Sequence, residues 1–163
     1  MPRMVIVVLA LAMALPAAQS RGQSEPAVVI SMEGATHELR DINWTNSTVT
    51  VEGDEIRFYL TEDGNPVSLN LNLSNTGILQ AGSASYQLPE ANHGEATIDL
   101  NFFNRDRAGK RLQRRIVFNE GAIEIHELTA TSLRMTFAGS GHPLMADETF
   151  PIEGSVTVRF PSP

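Results

Sequence analysis

The feature that most constrains the fold of this chain is a two-residue alternation of apolar and polar side chains. It is clearest at Val67–Leu73, where valine or leucine fills every second position and serine or asparagine fills the positions between. The same alternation recurs at residues 95–102 and 133–137. Because successive side chains of a strand point to opposite faces of its sheet, each stretch predicts a strand with one buried face.

Turn residues separate the alternating stretches, as at Asp63-Gly64, where glycine supplies the positive φ that tight turns need. We predict strands at residues 27–32, 37–44, 47–51, 55–60, 67–73, 83–88, 95–102, 111–118, 122–128, 133–137 and 156–160. Asn119-Glu120-Gly121 is predicted to form a hairpin turn. These eleven candidate segments correspond to about eight to ten short strands, which predict an all-β fold, an antiparallel β-sandwich. A closed, lipocalin-like β-barrel is the alternative.

The first twenty residues predict export. Arg3 is followed by an unbroken apolar run from Met4 to Leu15, then by Pro16 and the small residues before Arg21. A basic start, an apolar segment and a small-residue cleavage site are typical of a signal peptide. We expect cleavage near Ser20 and a secreted or periplasmic product with no transmembrane segment after cleavage. The chain has no cysteine, so a lipid anchor on cysteine is excluded.

The remaining chain has the size and charge of one soluble domain. We expect a short disordered lead-in at residues 21–26, a single β domain at 27–160 and a tail at 161–163. Cleavage after Ser20 leaves 143 residues with all 19 acidic residues and 11 of the 12 basic ones, a net charge of −8. This length can bury a sufficient core without disulfides. The acidic balance gives no strong signal for binding nucleic acid.

A cluster of basic residues is the most distinctive local feature. Six of the positive charges fall within eleven residues: Arg105, Arg107, Lys110, Arg111, Arg114 and Arg115. Arginine makes bidentate contacts with phosphate, so the cluster is a candidate polyanion-binding site. The alternative is a solvated hairpin tip whose charges prevent edge-to-edge aggregation.

No other pattern predicts chemistry. Glu52, Asp54 and Glu55 lack the spacing of a calcium loop, and the four histidines lack the spacing of a zinc site. Ser140 lies between glycines but outside any Gly-x-Ser-x-Gly motif. We therefore assign no catalytic residue, no metal ligand and no cofactor.

The last third of the chain resembles a group of small bacterial secreted β-sandwich proteins of unknown function. The likeness rests on Thr136-Phe137-Ala138-Gly139 and on the final strand Gly154-Ser155-Val156-Thr157-Val158-Arg159-Phe160. Gly82-Ser83-Ala84-Ser85-Tyr86-Gln87-Leu88 is similar to a mid-chain strand of that group. The resemblance implies a fold and no activity.

These observations predict a class of function without a specific role. We expect an exported, non-catalytic protein that acts by binding or assembly in the cell envelope, with an envelope protein or a polyanion as its partner. A lipocalin-like carrier would instead use the inward apolar residues to hold a small apolar ligand. Polyanion binding through residues 105–115 is the other alternative.

Overall fold

Strands form nearly all of the regular structure in the described residues, which are 25–89, 96–105 and 111–161 of the computed structural model. The strands are β1 (Val28–Met32), β2 (Ala35–Leu39), β3 (Thr48–Glu52), β4 (Glu55–Thr61), β5 (Val67–Leu73), β6 (Ala84–Leu88), β7 (Ala96–Arg105), β8 (Arg111–Leu128), β9 (Ser132–Pro143) and β10 (Phe150–Arg159). One helical turn, α1 (Ile78–Ala81), lies between β5 and β6. The predicted all-β, antiparallel class is confirmed. The predicted signal peptide and most of the lead-in lie outside the described residues.

The strands form one continuous antiparallel sheet. Its order is β2-β1-β10-β9-β8-β7-β5-β4-β3, and β6 pairs with β8 beside this path. The sheet curls into a half-barrel, which combines the inward face of a barrel with the open edges of a sandwich. No helix in the described part of the chain is long and apolar enough to cross a membrane.

Strand β8 corrects the predicted hairpin at Asn119-Glu120-Gly121. The chain continues through this segment as one 18-residue strand. Its register with β9 shifts between Phe118 and Glu120 and again between Ile125 and Glu127. Each bulge moves the inward-facing positions by one residue, so the apolar residues stay on the concave face. Asn119 is the residue without a partner at the first bulge, and Gly121, with φ of 123°, follows it inside the strand and not in a turn.

Strand β8 is also the strand on which three others converge. On one side it pairs with β9 along most of its length. On the other side β7 pairs with its first half and β6 with its second half, through Ala84 to Leu88. The Leu88-Pro89 peptide bond after β6 is cis.

The concave face of the sheet holds the hydrophobic core. On β5, Val67, Leu69, Leu71 and Leu73 are each at most 1% exposed. Burial of each such side chain stabilises the fold by about 1.5–3 kcal/mol. Phe137 of β9 packs edge-on against a phenylalanine of β8, with ring centroids 5.5 Å apart. The alternation that predicted the strands therefore also selects the residues of the core.

Candidate binding groove

An apolar groove of about 670 Å³ opens between β3 and the turn that joins β8 to β9. Its residues are Trp44, Ser47, Thr48, Val49, Thr50, Val51, Ile56, Phe58, Leu79, Leu128, Thr129, Ala130, Phe160 and Pro161. None of them carries a charge, although 19% of the chain is charged. Val51 is 54% exposed and Leu79 is 38% exposed, so two large apolar side chains face solvent at this groove. We call it the β3 groove.

Three aromatic rings line the β3 groove. Trp44 meets Phe160 edge-on, with ring centroids 6.1 Å apart. Phe160 in turn lies 5.9 Å from the ring of Phe58 on β4. Aromatic pairs at these distances stabilise each other beyond the area that they bury. The lining is therefore fixed by packing between the C-terminal residues, β4 and the segment before β3.

The segment before β3 is held in place by Asn43 and Ser47. The Asn43 backbone N–H donates to the carbonyl of Thr61, at 2.8 Å, and the Asn43 side-chain oxygen accepts from the N–H of Thr45, also at 2.8 Å. The hydroxyl of the buried Ser47 accepts from the N–H of Thr61 at 3.0 Å. An Asn side chain that accepts from the backbone two residues on forms a local turn. This turn presents Trp44 to the groove.

Helical turn α1 positions Leu79 between β3 and the β8–β9 turn, which form the two sides of the β3 groove. The backbone N–H and the hydroxyl of Thr76 both donate to Asp54 in the β3–β4 turn, at 3.0 and 2.8 Å. These two hydrogen bonds lower the pKa of Asp54 below its usual value. After α1, the carbonyl of Gly82 accepts from the N–H of Leu128, at 2.8 Å. Leu79 is thus tied to β3 on one side and to the end of β8 on the other.

The strands at the two ends of the sheet order, β2 and β3, differ in how they are covered. On β2, the side-chain amide of Asn65 donates to the carbonyl of Glu38 at 2.7 Å. Just beyond β2, Glu62 accepts from the backbone N–H groups of Arg40 and Asp41, at 3.3 and 3.2 Å. Burial raises the pKa of Glu62, but these hydrogen bonds and one from Asn65 outweigh it, and the pKa is lowered. The β4–β5 turn therefore covers the end of the β2 edge.

Strand β3 has no strand on its outer side within the described residues. Its hairpin with β4 has a two-residue loop, Gly53 and Asp54, flanked by the pair Glu52 and Glu55. The flanking pair of such a hairpin is hydrogen-bonded, and the pattern alternates along the ladder. The N–H and C=O groups of Val51 and Val49 therefore point away from β4. Their side chains line the groove.

The basic cluster is only partly described. Arg105 of β7 lies opposite Arg111 of β8 in the ladder. Arg107 and Lys110 lie outside the described residues. The side chains of Arg114 and Arg115, which are neighbours on β8, point to opposite faces of the sheet. The structure thus places four members of the cluster on the paired strands β7 and β8, and polyanion binding stays a prediction.

Arg114 already has a protein partner. Its guanidinium makes two hydrogen bonds with Glu33 of the β1–β2 turn, at 2.6 and 2.8 Å, and lies 5.5 Å from the ring centroid of Phe150. The hydrogen bonds hold the pKa of Glu33 below its usual range, against the opposing effect of burial. Arg114 therefore links β1, β8 and β10 at the end of the half-barrel.

The described residues contain no group of three or more histidine or acidic side chains that could hold a metal ion. His126 hydrogen-bonds to Thr136, at 2.9 Å, and Glu124 accepts from Ser85, at 2.7 Å. Burial lowers the pKa of His37, although Glu33 opposes this. These titratable groups act as parts of the sheet surface and do not converge on the β3 groove.

No protein-family model, curated protein or solved structure is significantly similar to this chain. The resemblance to small secreted β-sandwich proteins stays a prediction. Sequence reasoning did not identify the β3 groove, because Trp44, Val51, Leu79 and Phe160 are far apart in the chain. A usable signal was present at residues 48–51, where valine alternates with threonine without any charge.

Proposed function

We propose that this protein is an exported, non-catalytic binding protein of the cell envelope that takes an uncharged, apolar partner in the β3 groove. The observation that carries the proposal is the lining of the groove, which is uncharged and includes three aromatic rings. Concave apolar surfaces with a few polar groups are typical of ligand sites. Val51 and Leu79 are exposed, so a partner that covers them removes apolar surface from water, which favours binding.

Binding is favoured over catalysis by the kinds of side chain that line the groove. Its polar groups are the hydroxyls of serine and threonine, with no carboxylate, imidazole or amine among them. General acid–base and nucleophilic catalysis need a titratable group within hydrogen-bond reach of the reacting atoms. Ser47, the buried hydroxyl, is hydrogen-bonded to the backbone of Thr61.

The single tryptophan of the chain, Trp44, provides a direct test because it lines the groove. We would titrate the purified protein with the neutral dye N-phenyl-1-naphthylamine and follow energy transfer from Trp44. Val51→Asp and Leu79→Asp should each weaken binding about tenfold or more, because a buried charge without a partner is unfavourable. Met145→Asp is the matched control, since Met145 is 94% exposed and lies outside the groove. Equal affinity in all three variants would contradict the proposal.

Export has its own test. N-terminal sequencing of the protein from envelope or extracellular fractions should begin at Arg21 or within a few residues of it. The physical basis is the apolar run of Met4 to Leu15 before a small-residue cleavage site. An intact Met1 on that material would contradict export while leaving groove binding untouched.

A further inference from the structure

The outer edge of β3 offers backbone groups as well as apolar side chains. The N–H and C=O groups of Val49 and Val51 point away from β4, and no strand of the described residues pairs with them. The edge has no proline, bulge or lysine, which are three of the devices that prevent strand addition. The β2 edge differs, because Asn65 and Glu62 cover its end.

The groove lies where the side chains of an added strand would fall. Residues 48–51 line it continuously, and Val49 and Val51 project on its side of the sheet. A strand hydrogen-bonded to β3 would place every second side chain on that same face. Those side chains would lie over Trp44 and Phe58 and against Leu79.

The opposite wall limits what can occupy this edge. Leu128 to Ala130 and Phe160 to Pro161 line the groove across from β3, so the space beside β3 is bounded on its far side. A single extended strand fills a bounded space, whereas a second copy of this chain would bring a whole sheet. An acyl chain along the edge would exclude water from the Val49 and Val51 backbone groups without hydrogen-bonding them, which is unfavourable.

The charge at one end of β3 is incompletely neutralised. Glu52 and Glu55 lie opposite each other in the β3–β4 pair, where like charges repel. Arg57 bonds closely to Glu55 but lies 3.9 Å from Glu52, whose side chain is 71% exposed. A basic side chain on a neighbouring strand would complete this cluster. Residues 48–52 of a second copy contain no basic residue that could do so.

We propose that the partner of the β3 groove is an extended peptide segment of another protein, which adds to the sheet as a strand beside β3. Its alternate side chains are apolar and lie in the groove, and a basic residue faces Glu52. This inference rests on the proposed function, because it names the occupant of the same groove.

The test compares three synthetic peptides on the whole protein. The first alternates valine and threonine over seven residues and ends in arginine. The second has the same sequence, but the backbone amides along one edge of the peptide strand are N-methylated. The third has glutamate in place of the arginine. Affinity is measured from the fluorescence of Trp44 and by calorimetry. The role of Glu52 is then tested with Glu52→Arg, and Glu153→Arg on β10 is the matched control.

We expect the first peptide to bind, N-methylation to weaken it at least tenfold, and Glu52→Arg to reverse the preference between arginine and glutamate peptides. Glu153→Arg should leave that preference unchanged. Equal binding of the N-methylated peptide would overturn strand addition, although groove binding would stand. Binding of oleate with displacement of the dye, but of none of the peptides, would likewise identify an acyl chain as the occupant.

Two other outcomes separate the proposals further. A dimer in solution that Val51→Lys dissociates would assign the edge to a second copy and overturn the inference. Absence of any groove-dependent binding, by dye, peptide or oleate, would overturn both the inference and the proposed function. The comparison of the first peptide with its N-methylated form uses the unchanged protein. Its result therefore does not depend on whether the variants fold.

Discussion

Gly121 of β8 and Gly139 of β9 lie opposite each other just after the bulge at Asn119, and each occupies space in which a β-carbon would overlap the backbone of the other strand. A β-carbon on Gly121 would fall 2.6 Å from the α-carbon of Gly139. Gly121 also has φ of 123°, a conformation that other residues rarely adopt. The close contact between β8 and β9 thus depends on two glycines 18 positions apart in the chain.

Gly139→Ala should lower the free energy of unfolding by about 3 kcal/mol, because the new methyl group meets backbone atoms of Glu120 and Gly121 that cannot move independently. Urea denaturation measures the change. Ala138→Ser is the control, since Ala138 is exposed and should change stability by less than about 0.5 kcal/mol. Equal stability of the two variants would show that β8 and β9 are farther apart than described.

The ion pair between Glu33 and Arg114 should make stability depend on pH in the acid range. Because the pKa of Glu33 is lowered in the folded protein, its contribution is present above the unfolded pKa of about 4.5 and is lost as pH falls through the folded pKa. Both side chains are about 40% exposed, so we expect a contribution of about 1 kcal/mol at most.

Thermal unfolding of Glu33→Gln, measured from pH 7 to pH 3, checks this expectation. The variant should be less stable than the original protein at pH 7, and the difference should shrink as pH falls through the lowered pKa of Glu33. Both proteins carry His37→Gln, because Glu33 opposes the lowering of the pKa of His37 and the titration of His37 would otherwise differ between them. A constant difference across the range would mean that Glu33 acts through packing and not through charge.

Ser47→Ala should destabilise the segment that carries Trp44. The Ser47 hydroxyl is buried, and its loss leaves the N–H of Thr61 without that acceptor, at a cost of about 1–2 kcal/mol. Trp44 emission should also shift to longer wavelength as the ring becomes more hydrated. Ser85→Ala removes an exposed hydrogen bond to Glu124 and should do neither. An unchanged spectrum would show that Ser47 does not position Trp44.

Asp54→Ala should weaken dye binding several-fold by releasing Thr76 and, with it, Leu79, while the melting temperature changes little. Since the folded pKa of Asp54 lies below 3.8, the contact is present above that pH and is lost as pH falls through the lowered pKa. Affinity should therefore be constant from pH 7 to pH 5. Asp147→Ala, in the β9–β10 loop, is the control for lost charge. Full affinity in the Asp54 variant would remove Asp54 as a positioning residue.

The alternation of side chains was sufficient to predict most strands. Val67–Leu73 was predicted with the bounds that β5 has, because both faces of that strand follow the pattern without interruption. The hairpin at Asn119-Glu120-Gly121 was wrong, because a glycine that permits a bulge and one that permits a turn look the same in sequence. Residues 40–44 were predicted as strand but cross between edge strands, since Ile42 and Trp44 are apolar for packing and not for pairing.

The β3 groove could not be predicted in the same way. It joins side chains from β3, β4, α1, the β8–β9 turn and the C-terminal residues, and their proximity follows from how the sheet curls. Helical turn α1 was missed because four residues are too few to show a helical period. The basic cluster was easy to find because its residues are close in sequence. The sequence did not show, however, that Arg114 is hydrogen-bonded to Glu33 of the β1–β2 turn.

The pairing of β1 with β10 joins the first and last strands of the described residues, with Val28 opposite Val156. A ribosome releases the chain from its N-terminus, so β1 can pair with β2 early, whereas its second partner, β10, emerges more than one hundred residues later. Until then the sheet lacks one side of β1, and the core residues on it stay solvated. The sheet can therefore be completed only after β10 has left the ribosome.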